Sequence, residues 1–522
     1  MSAMVASDPL DRFTAIGTLG AKVGNAVKRM LFPLSLVLAL ETMYLYFNGR
    51  PGASAFLLIC LGSLIALKVW SMGALGLPLL PLMIVQSLII YAVPIAVGHD
   101  VILTYPQSFV IEAGTEVLIF DITMILAWKL GMHMFRPASP VCYVLQNFDR
   151  DGASGMSRLG FGMIGAATGF EVLQSLNLTD TINNALPTGA SSILAALVAV
   201  VSACGFFLVS MTIWSGQASM VSKVFFWGLF IANGMISASE FLLYGVAANV
   251  LTVVIGSFWS SGRMPWRFLV FSMLSLSFLN TGKSTMRERY WGTDDEPGSQ
   301  MTFDKLPSIY AEWISVSYDA VLENHTASNS KPGGAKGNDN KNQTLFDRID
   351  NLQNLLFVID AIETEHVTLL HGATYSLIPP LLVPRILWPD KPRSHEGQVM
   401  LNVHFGRQDL NSTYATYIAW GLLPEAYGNF GPIMGAVFIG FFLGFCFSWI
   451  ENFTTRKLFL SMEGLLSLSL LMSLVNSFEM VASVLVTAIF QSFVIVVAAS
   501  SPFVRWTINI RPPDGDDEPP ED

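Results

Sequence analysis

Long apolar runs that recur along nearly the whole chain constrain its fold more than any other feature. The hydrocarbon core of a bilayer takes about 20 mostly apolar residues per helix, and by that ruler the sequence holds about twelve candidate spans. They lie near residues 29–47, 53–71, 75–97, 108–130, 158–176, 189–213, 223–243, 245–262, 265–281, 431–450, 458–476 and 479–499. The boundary between the seventh and eighth, at Leu243-Tyr244-Gly245, is nearly continuous. Lipid offers no partner for backbone N–H and C=O groups, so runs of this length are expected as helices that satisfy them internally. The expected fold class is all-α, a polytopic transmembrane bundle. Composition agrees: 52% of the 522 residues are hydrophobic and 13% charged, with mean hydropathy +0.51, whereas soluble domains carry about a quarter charged residues.

Charge placement orients the expected bundle, because short cytoplasmic connections collect Lys and Arg. Lys22, Lys28 and Arg29, then Arg136, Arg150 and Arg158, Arg263 and Arg267, and Arg456 and Lys457 fall on one side of the twelve-span count. The connections 98–107 and 177–188 on the other side have neither Lys nor Arg. Both termini are therefore expected in the cytoplasm. The organisation reads as an amino-terminal segment 1–28, a first transmembrane block 29–281, a large external loop 282–430, a second block 431–499, and an acidic, proline-rich tail 500–522 expected to be disordered. Leu31 to Phe47 ends without a small-residue cleavage site and reads as a retained helix rather than a signal peptide. A net charge of −10 argues against nucleic acid as a partner. Cys60, Cys142, Cys204 and Cys446 have no paired spacing, so neither a disulfide framework nor a zinc site is indicated.

Loops beyond about 15 residues are usually functional or disordered, and the 282–430 segment reads as both. Residues 326–343, TASNSKPGGAKGNDNKNQ, have almost no apolar content and read as a tether. From Phe346, the residues Ile349, Leu352, Leu355, Leu356, Ile359 and Ile362 recur at helical spacing among Asp347, Arg348, Asp350 and Asp360. That pattern predicts an amphipathic helix lying along the membrane surface.

Polar residues concentrate around this loop in three places. Lys283, Arg287 and Arg289 follow the ninth span on the external side, the reverse of the usual charge bias. They suit an anion such as a lipid diphosphate, whose oxygens match the guanidinium fork. Pairing with headgroups or with Glu288 accounts for them equally well. Gly282-Lys283-Ser284 ends like a nucleotide phosphate loop, but the motif requires glycine at position 277, which is Ser277 inside a span. The second place is His371-Gly372-Ala373-Thr374-Tyr375, followed by Pro379, Pro380, Pro384, Pro389 and Pro392. Five prolines forbid a regular helix and make a stiff mount for Arg385, Trp388, Asp390 and Lys391. Trp388 also fits an interfacial anchor. In the third, Glu425 lies among apolar and aromatic residues, where desolvation would raise its pKa and let it serve as a base. Helix capping is the competing role. Within or near the spans, Glu41, Glu112, Glu116, Asp121, Glu171 and Glu240 either line a polar path or bond internally.

Taken together, Gly372-x-x-Tyr375, Pro384-Arg385-x-Leu387-Trp388-Pro389-Asp390-Lys391-Pro392 and Glu425-x-Tyr427-x-Asn429-Phe430-Gly431 resemble the Wzy-type oligosaccharide repeat-unit polymerases, the O-antigen and exopolysaccharide polymerases of bacteria. The resemblance covers roughly residues 275–450. It implies a GT-C-like, metal-independent glycosyltransferase of the bacterial inner membrane, using no nucleotide or other cofactor, that joins undecaprenyl-diphosphate-linked repeats on the periplasmic face. It also implies membrane lipids, a chain-length regulator and a flippase as partners. On that footing Arg385, with Lys283, Arg287, Arg289 and Lys391, grips diphosphate, and Glu425 is the base, with Asp390 and His371 as alternatives. Tyr375, Trp388 and Asn429 would contact glycan. Glu363, Glu365 and His366 lack ligand spacing, so no metal is expected. An O-antigen ligase, a flippase or transporter, and a non-catalytic scaffold are the competing readings. Replacing Arg385 by Ala is expected to leave the protein folded and to abolish polymer, leaving single-repeat glycan on a gel; wild-type chain lengths would refute the assignment.

Overall fold

The computed structural model describes residues 16–137, 142–145, 152–175, 190–216, 218–239, 241, 243–261, 263–293, 296–297, 305–327, 350–383, 387–388, 390–415, 418–457, 462–477, 480–504 and 507–510. In chain order the helices are α1 (Ile16–Phe47), α2 (Ala53–Gly73), α3 (Leu79–Ser87), α4 (Val93–Val97), α5 (Gln107–Met134), α6 (Gly152–Ser175), α7 (Ala190–Trp214), α8 (Met220–Ser237), α9 (Tyr244–Ser261) and α10 (Trp266–Thr281). They continue as α11 (Lys283–Trp291), α12 (Leu306–Ala327), α13 (Leu352–Glu363), α14 (Ile378–Leu381), α15 (Glu396–His404), α16 (Leu410–Ala415), α17 (Leu422–Phe430), α18 (Met434–Thr454), α19 (Met462–Ser477) and α20 (Ala482–Val504). A π turn, Leu88–Ala92, joins α3 to α4. The described strands form two short antiparallel pairs, Cys142–Leu145 with Thr507–Ile510 and Gly292–Thr293 with Glu296–Pro297.

Each of the twelve expected spans falls on helical structure, the third on α3, the π turn and α4, but among the described residues six stretches are long and apolar enough to cross a membrane: Ile16–Phe47, Ala53–Gly73, Leu79–Val97, Leu197–Trp214, Met220–Ser237 and Met434–Thr454. The apolar stretches Gly245–Phe258 and Ala482–Val494 are shorter. α10 and α19 have 16 residues each, and α5 carries Glu112, Glu116, Asp121 and Lys129. The apolar helices mark a membrane-embedded protein.

Several boundaries differ from the sequence expectation: α20 runs to Val504 and Thr507–Ile510 is a strand, both inside the 500–522 tail expected to be disordered, and α6 begins at Gly152. The first helix begins at Ile16, well before residue 29, because Gly17 and Gly20 let it lie directly against Leu75, Gly76 and Thr455. The Ile16 and Gly17 N–H groups donate to the carbonyls of Lys457 and Thr455, at 2.9 and 3.2 Å. One helix start thus satisfies the unpaired carbonyls at another's end. α8 closes at Ser237, earlier than expected, and the link to α9 contains Phe241 at φ 56°.

The chain divides into two compact units, residues 1–150 with 349–522, and residues 151–348. The segment 282–430 is accordingly shared: α11 and α12 belong to the smaller unit and α13 to α17 to the larger. In the smaller unit, Ile164, Phe206, Val209, Phe226 and Val253 form one core, and Phe241, Met286, Ile309 and Trp313 another.

The larger unit is organised around α5 and α18. Both helices approach at glycines, so an ideal Cβ at Gly444 would lie 2.0 Å from the Met124 carbonyl oxygen, and one at Gly440 2.7 Å from that of Phe120. Below them Glu451 collects four donors: Trp70 Nε1 at 3.1 Å, Trp128 Nε1 at 2.8 Å, and the N–H groups of Leu75 at 2.8 Å and Gly76 at 3.3 Å. These bonds tie α2, α5 and the link after α2 to α18. The predicted amphipathic helix is present as α13, but Leu352, Leu355, Leu356, Val358 and Ile359 are buried and it packs on α5 and α17 instead of lying along a surface. The proline run opens with one 3₁₀ turn, Tyr375–Leu377, and the single turn of α14, whose Pro379 and Pro380 sit at first-turn positions where a missing N–H costs nothing.

Gly444→Val is expected to wedge α5 from α18 and lower stability by about 2–3 kcal/mol, read as thermal unfolding in detergent. Gly162→Ala, where an added Cβ meets nothing within 4 Å, serves as the control and should not destabilise.

Candidate functional site

A cluster of buried polar groups outside the long helices surrounds Glu425 in the first turn of α17. Backbone pairing brings the 370–377 segment onto this helix: Leu370 N–H donates to Gly428 O at 3.1 Å and His371 N–H to Asn429 O at 2.9 Å. His371 (φ 49°) and Gly372 (φ 87°) then reverse the chain in the left-handed region, which glycine enters without strain. Gly372 N–H donates to Asn429 Oδ1 at 3.0 Å. The reversal aims Thr374 inward, where its hydroxyl donates to Glu425 Oε1 at 2.7 Å and accepts from Asn429 Nδ2 at 2.9 Å. Glu425 Oε2 accepts from the N–H of Ala482, the first residue of α20, at 2.6 Å. A carboxylate at a helix start is favoured both by its unpaired N–H groups and by the helix dipole.

Glu425, Asn429 and Thr374 have no exposed surface. Burial pushes the Glu425 carboxyl up to about 7, against the opposing pull of the Ala482 and Thr374 donors. It is therefore poised to exchange a proton near neutrality. Tyr375 lies beside it. Its ring stacks on Phe430 at 5.6 Å and meets Phe438 edge-on at 5.2 Å. Its buried hydroxyl has no hydrogen-bond partner among the described residues. Burial, then the Glu425 charge, raises the Tyr375 phenol well above its ordinary range. An aromatic platform with a carboxyl and an unspent hydroxyl matches the needs of a sugar ring, one face apolar and the rim made of hydroxyls.

Comparison with protein-family models, curated proteins and solved structures finds no match to this chain.

The expected site residues separate into three groups. Glu425, Tyr375 and Asn429 come together, and His371 stands exposed at their rim, its ring outward while its backbone joins the pairing. Asn429 spends its amide on Thr374, the Glu425 carbonyl and Gly372, which makes it a clasp. In the proline run, Trp388 and Asp390 are exposed, and Lys391 Nζ donates to the carbonyls of Leu381 at 2.7 Å and Val383 at 2.5 Å. Lys391 thereby closes the turn after α14. Arg385 lies outside the described residues, as do residues 328–343 of the expected tether, whose first two residues instead end α12.

Lys283, Arg287 and Arg289 belong to the smaller unit. There Arg289 pairs with Glu312 at 2.7 Å, and Tyr290 donates to the same carboxylate at 2.7 Å, holding Glu312 below the ordinary carboxylate range. Arg287 Nη2 donates to Phe241 O at 3.1 Å, and Lys283 is buried. Glu312 gives Arg289 a protein partner that is not Glu288, one the residue spacing did not disclose.

Sequence reasoning passed over Arg407, whose guanidinium lies 5.5 Å from the Phe357 ring centroid and 5.7 Å from that of Trp420, with Nη1 donating to Asn354 Oδ1 at 2.7 Å. Nothing in the local spacing of Arg407 signals this clamp. Ala482 was equally invisible, since its contribution is a backbone N–H.

The sign of the Glu425 shift sets a pH dependence. The folded-state pKa is raised above the ordinary value of 4.5, so the folded protein holds an extra proton between the two values, and the associated stability is lost as pH rises through that window. The loss is about 3 kcal/mol between roughly pH 4.5 and 7. Glu425→Gln, neutral throughout, should remove this part of the pH dependence of the unfolding temperature.

Proposed function

We propose that this protein is a membrane-embedded glycosyltransferase that polymerises lipid-linked oligosaccharide repeats on the external face of the bacterial inner membrane, with both termini cytoplasmic. The observation that carries the reading is the pairing of the Glu425 carboxyl, pushed up to about 7 by burial, with the unpartnered Tyr375 hydroxyl on the Phe430–Phe438 platform. It supports the polymerase resemblance because that resemblance rests on the same residues, and because a membrane-embedded helical protein suits a lipid-anchored substrate.

In this reading the platform seats the acceptor sugar, and Tyr375 orients its attacking hydroxyl. Glu425 takes the proton as the new glycosidic bond forms and the bond to the lipid diphosphate breaks, the diphosphate leaving with the electron pair. Glu425 is sealed by Thr374 and Ala482, so the 371–377 turn has to lift for the acceptor to reach it. Arg385, Lys391, Lys283, Arg287 and Arg289 remain the candidates for holding diphosphate, Asp390 and His371 the alternative bases, and Trp388 a glycan contact.

The decisive experiment supplies the full-length protein, in lipid nanodiscs, with one synthetic undecaprenyl-diphosphate repeat. A ladder of elongated products is expected, since a polymerase extends a single substrate whereas a ligase needs a second acceptor and a transporter makes no bond. No ladder under conditions where the protein is folded would reject the proposal. Tyr375→Phe removes only an unpartnered hydroxyl, so it should leave stability unchanged and slow elongation on the order of tenfold, the worth of one hydrogen bond.

A further inference from the structure

A second buried carboxylate, remote from Glu425 in sequence and on a different helix, has no countercharge among the described residues. Asp121 of α5 has no exposed surface. Ser63 of α2 donates its hydroxyl to Asp121 Oδ2 at 2.7 Å. The Ser87 hydroxyl, fully buried just before the π turn, faces the same carboxyl. Neither Asp121 Oδ1 nor Ser87 Oγ has a partner of good hydrogen-bonding geometry among the described residues.

Among the described residues no basic group faces this place. The titratable neighbours are Tyr91 of the π turn, Cys60 one helical turn before Ser63 on α2, and Glu112 and Glu116 on α5 itself. On α18, Glu451 is occupied by Trp70 and Trp128. Lys68 and Lys129, on the two helices that form the site, are exposed. Glu112 accepts from Tyr427 and Glu116 from the Ile433 N–H, so the other α5 carboxylates are also met by neutral donors. A carboxylate buried among membrane helices is costly in its charged form, and neutralisation removes most of that cost. At Asp121 no side chain among the described residues supplies a positive charge, which leaves a proton to neutralise it.

A polar route leads outward. Tyr91 is within electrostatic reach of Asp121 and accepts from Asn351 Nδ2 at 3.4 Å. Asn354 Nδ2 donates to Asn351 Oδ1 at 2.7 Å, and Arg407, partly exposed, donates to Asn354. The π turn that presents Ser87 and Tyr91 is a rare conformation concentrated at functional positions.

We propose that Asp121, Ser63 and Ser87 form a binding site for an exchangeable proton inside the helical bundle, reached through Tyr91, Asn351 and Asn354. The bound proton sits on Asp121 Oδ1 and is shared with Ser87 Oγ, while Ser63 holds Oδ2. Deprotonation leaves both serines donating to the carboxylate. The site does not depend on the glycosyltransferase reading.

The test uses the full-length protein in nanodiscs. Infrared spectra recorded across a pH series should show the carbonyl band of a buried protonated carboxyl that fades as pH rises and is absent from Asp121→Asn. A hydrophobic carbodiimide, which reacts with protonated carboxyls, should modify Asp121, located by peptide mass spectrometry, at a rate that falls about tenfold per pH unit above the site's midpoint. Ser63→Ala with Ser87→Ala removes donors to the charged form and should move that midpoint to higher pH. An infrared band at Asp121 that does not change with pH would make the carboxyl a permanently neutral structural group and overturn the proposal. Slower modification in sodium than in potassium at fixed pH would overturn it in favour of a sodium site.

Discussion

The larger unit depends on burying carboxylates without basic partners. Glu451, Glu425, Glu116 and Asp121 are buried, and the hydrogen bonds that reach them come from indole, hydroxyl and backbone donors. In a low-dielectric interior an unsatisfied carboxylate is among the costliest groups a fold can contain, and each donor that satisfies one must be held in place. Glu451 therefore fixes α2, α5 and α18 together, and Glu425 fixes α17, the 370–377 turn and the start of α20. These contacts are few, and each joins segments far apart in sequence.

The same economy explains the candidate site. Thr374, Asn429 and Ala482 hold a proton-exchanging carboxyl in a rigid setting, and the aromatic trio of Tyr375, Phe430 and Phe438 stands beside it. A clasp that seals Glu425 at rest also keeps the group free of bulk water, the condition under which its pKa stays near neutrality. The turn bearing His371 and Gly372 covers Glu425 through two successive left-handed residues.

The helical architecture was legible from apolar run length alone, and each expected span falls on helical structure. Run length could not decide how many cross the membrane, since α5 mixes apolar residues with three carboxylates and α10 and α19 are short. The α13 periodicity identified a helix correctly but not its neighbour. An apolar stripe reads the same whether it faces lipid, a membrane surface or α5 and α17. The loop boundaries at 282 and 430 likewise followed hydropathy, whereas the division of that loop between two units follows tertiary packing.

For the site, local sequence identified the residues but not what covers them. Glu425, Asn429 and Tyr375 lie in motifs rich in apolar and aromatic residues, whereas Thr374 and Ala482 meet Glu425, and Phe430 and Phe438 meet Tyr375, from segments far away in sequence. Lys391 was expected to grip diphosphate and Arg289 to meet diphosphate, lipid headgroups or Glu288, and only tertiary structure showed the Leu381 and Val383 carbonyls around one and Glu312 beside the other. The Ala482 N–H and the Phe357–Arg407–Trp420 clamp left no trace at all in residue spacing. The sequence by itself determined that the chain is helical and membrane-embedded, and it marked Glu425 near the start of α18 as either a desolvated acid or a helix cap, because hydropathy acts locally. Which donors satisfy that acid, and therefore what it can do, was decided only by the tertiary structure, because hydrogen bonds are directional and join residues brought together by folding alone.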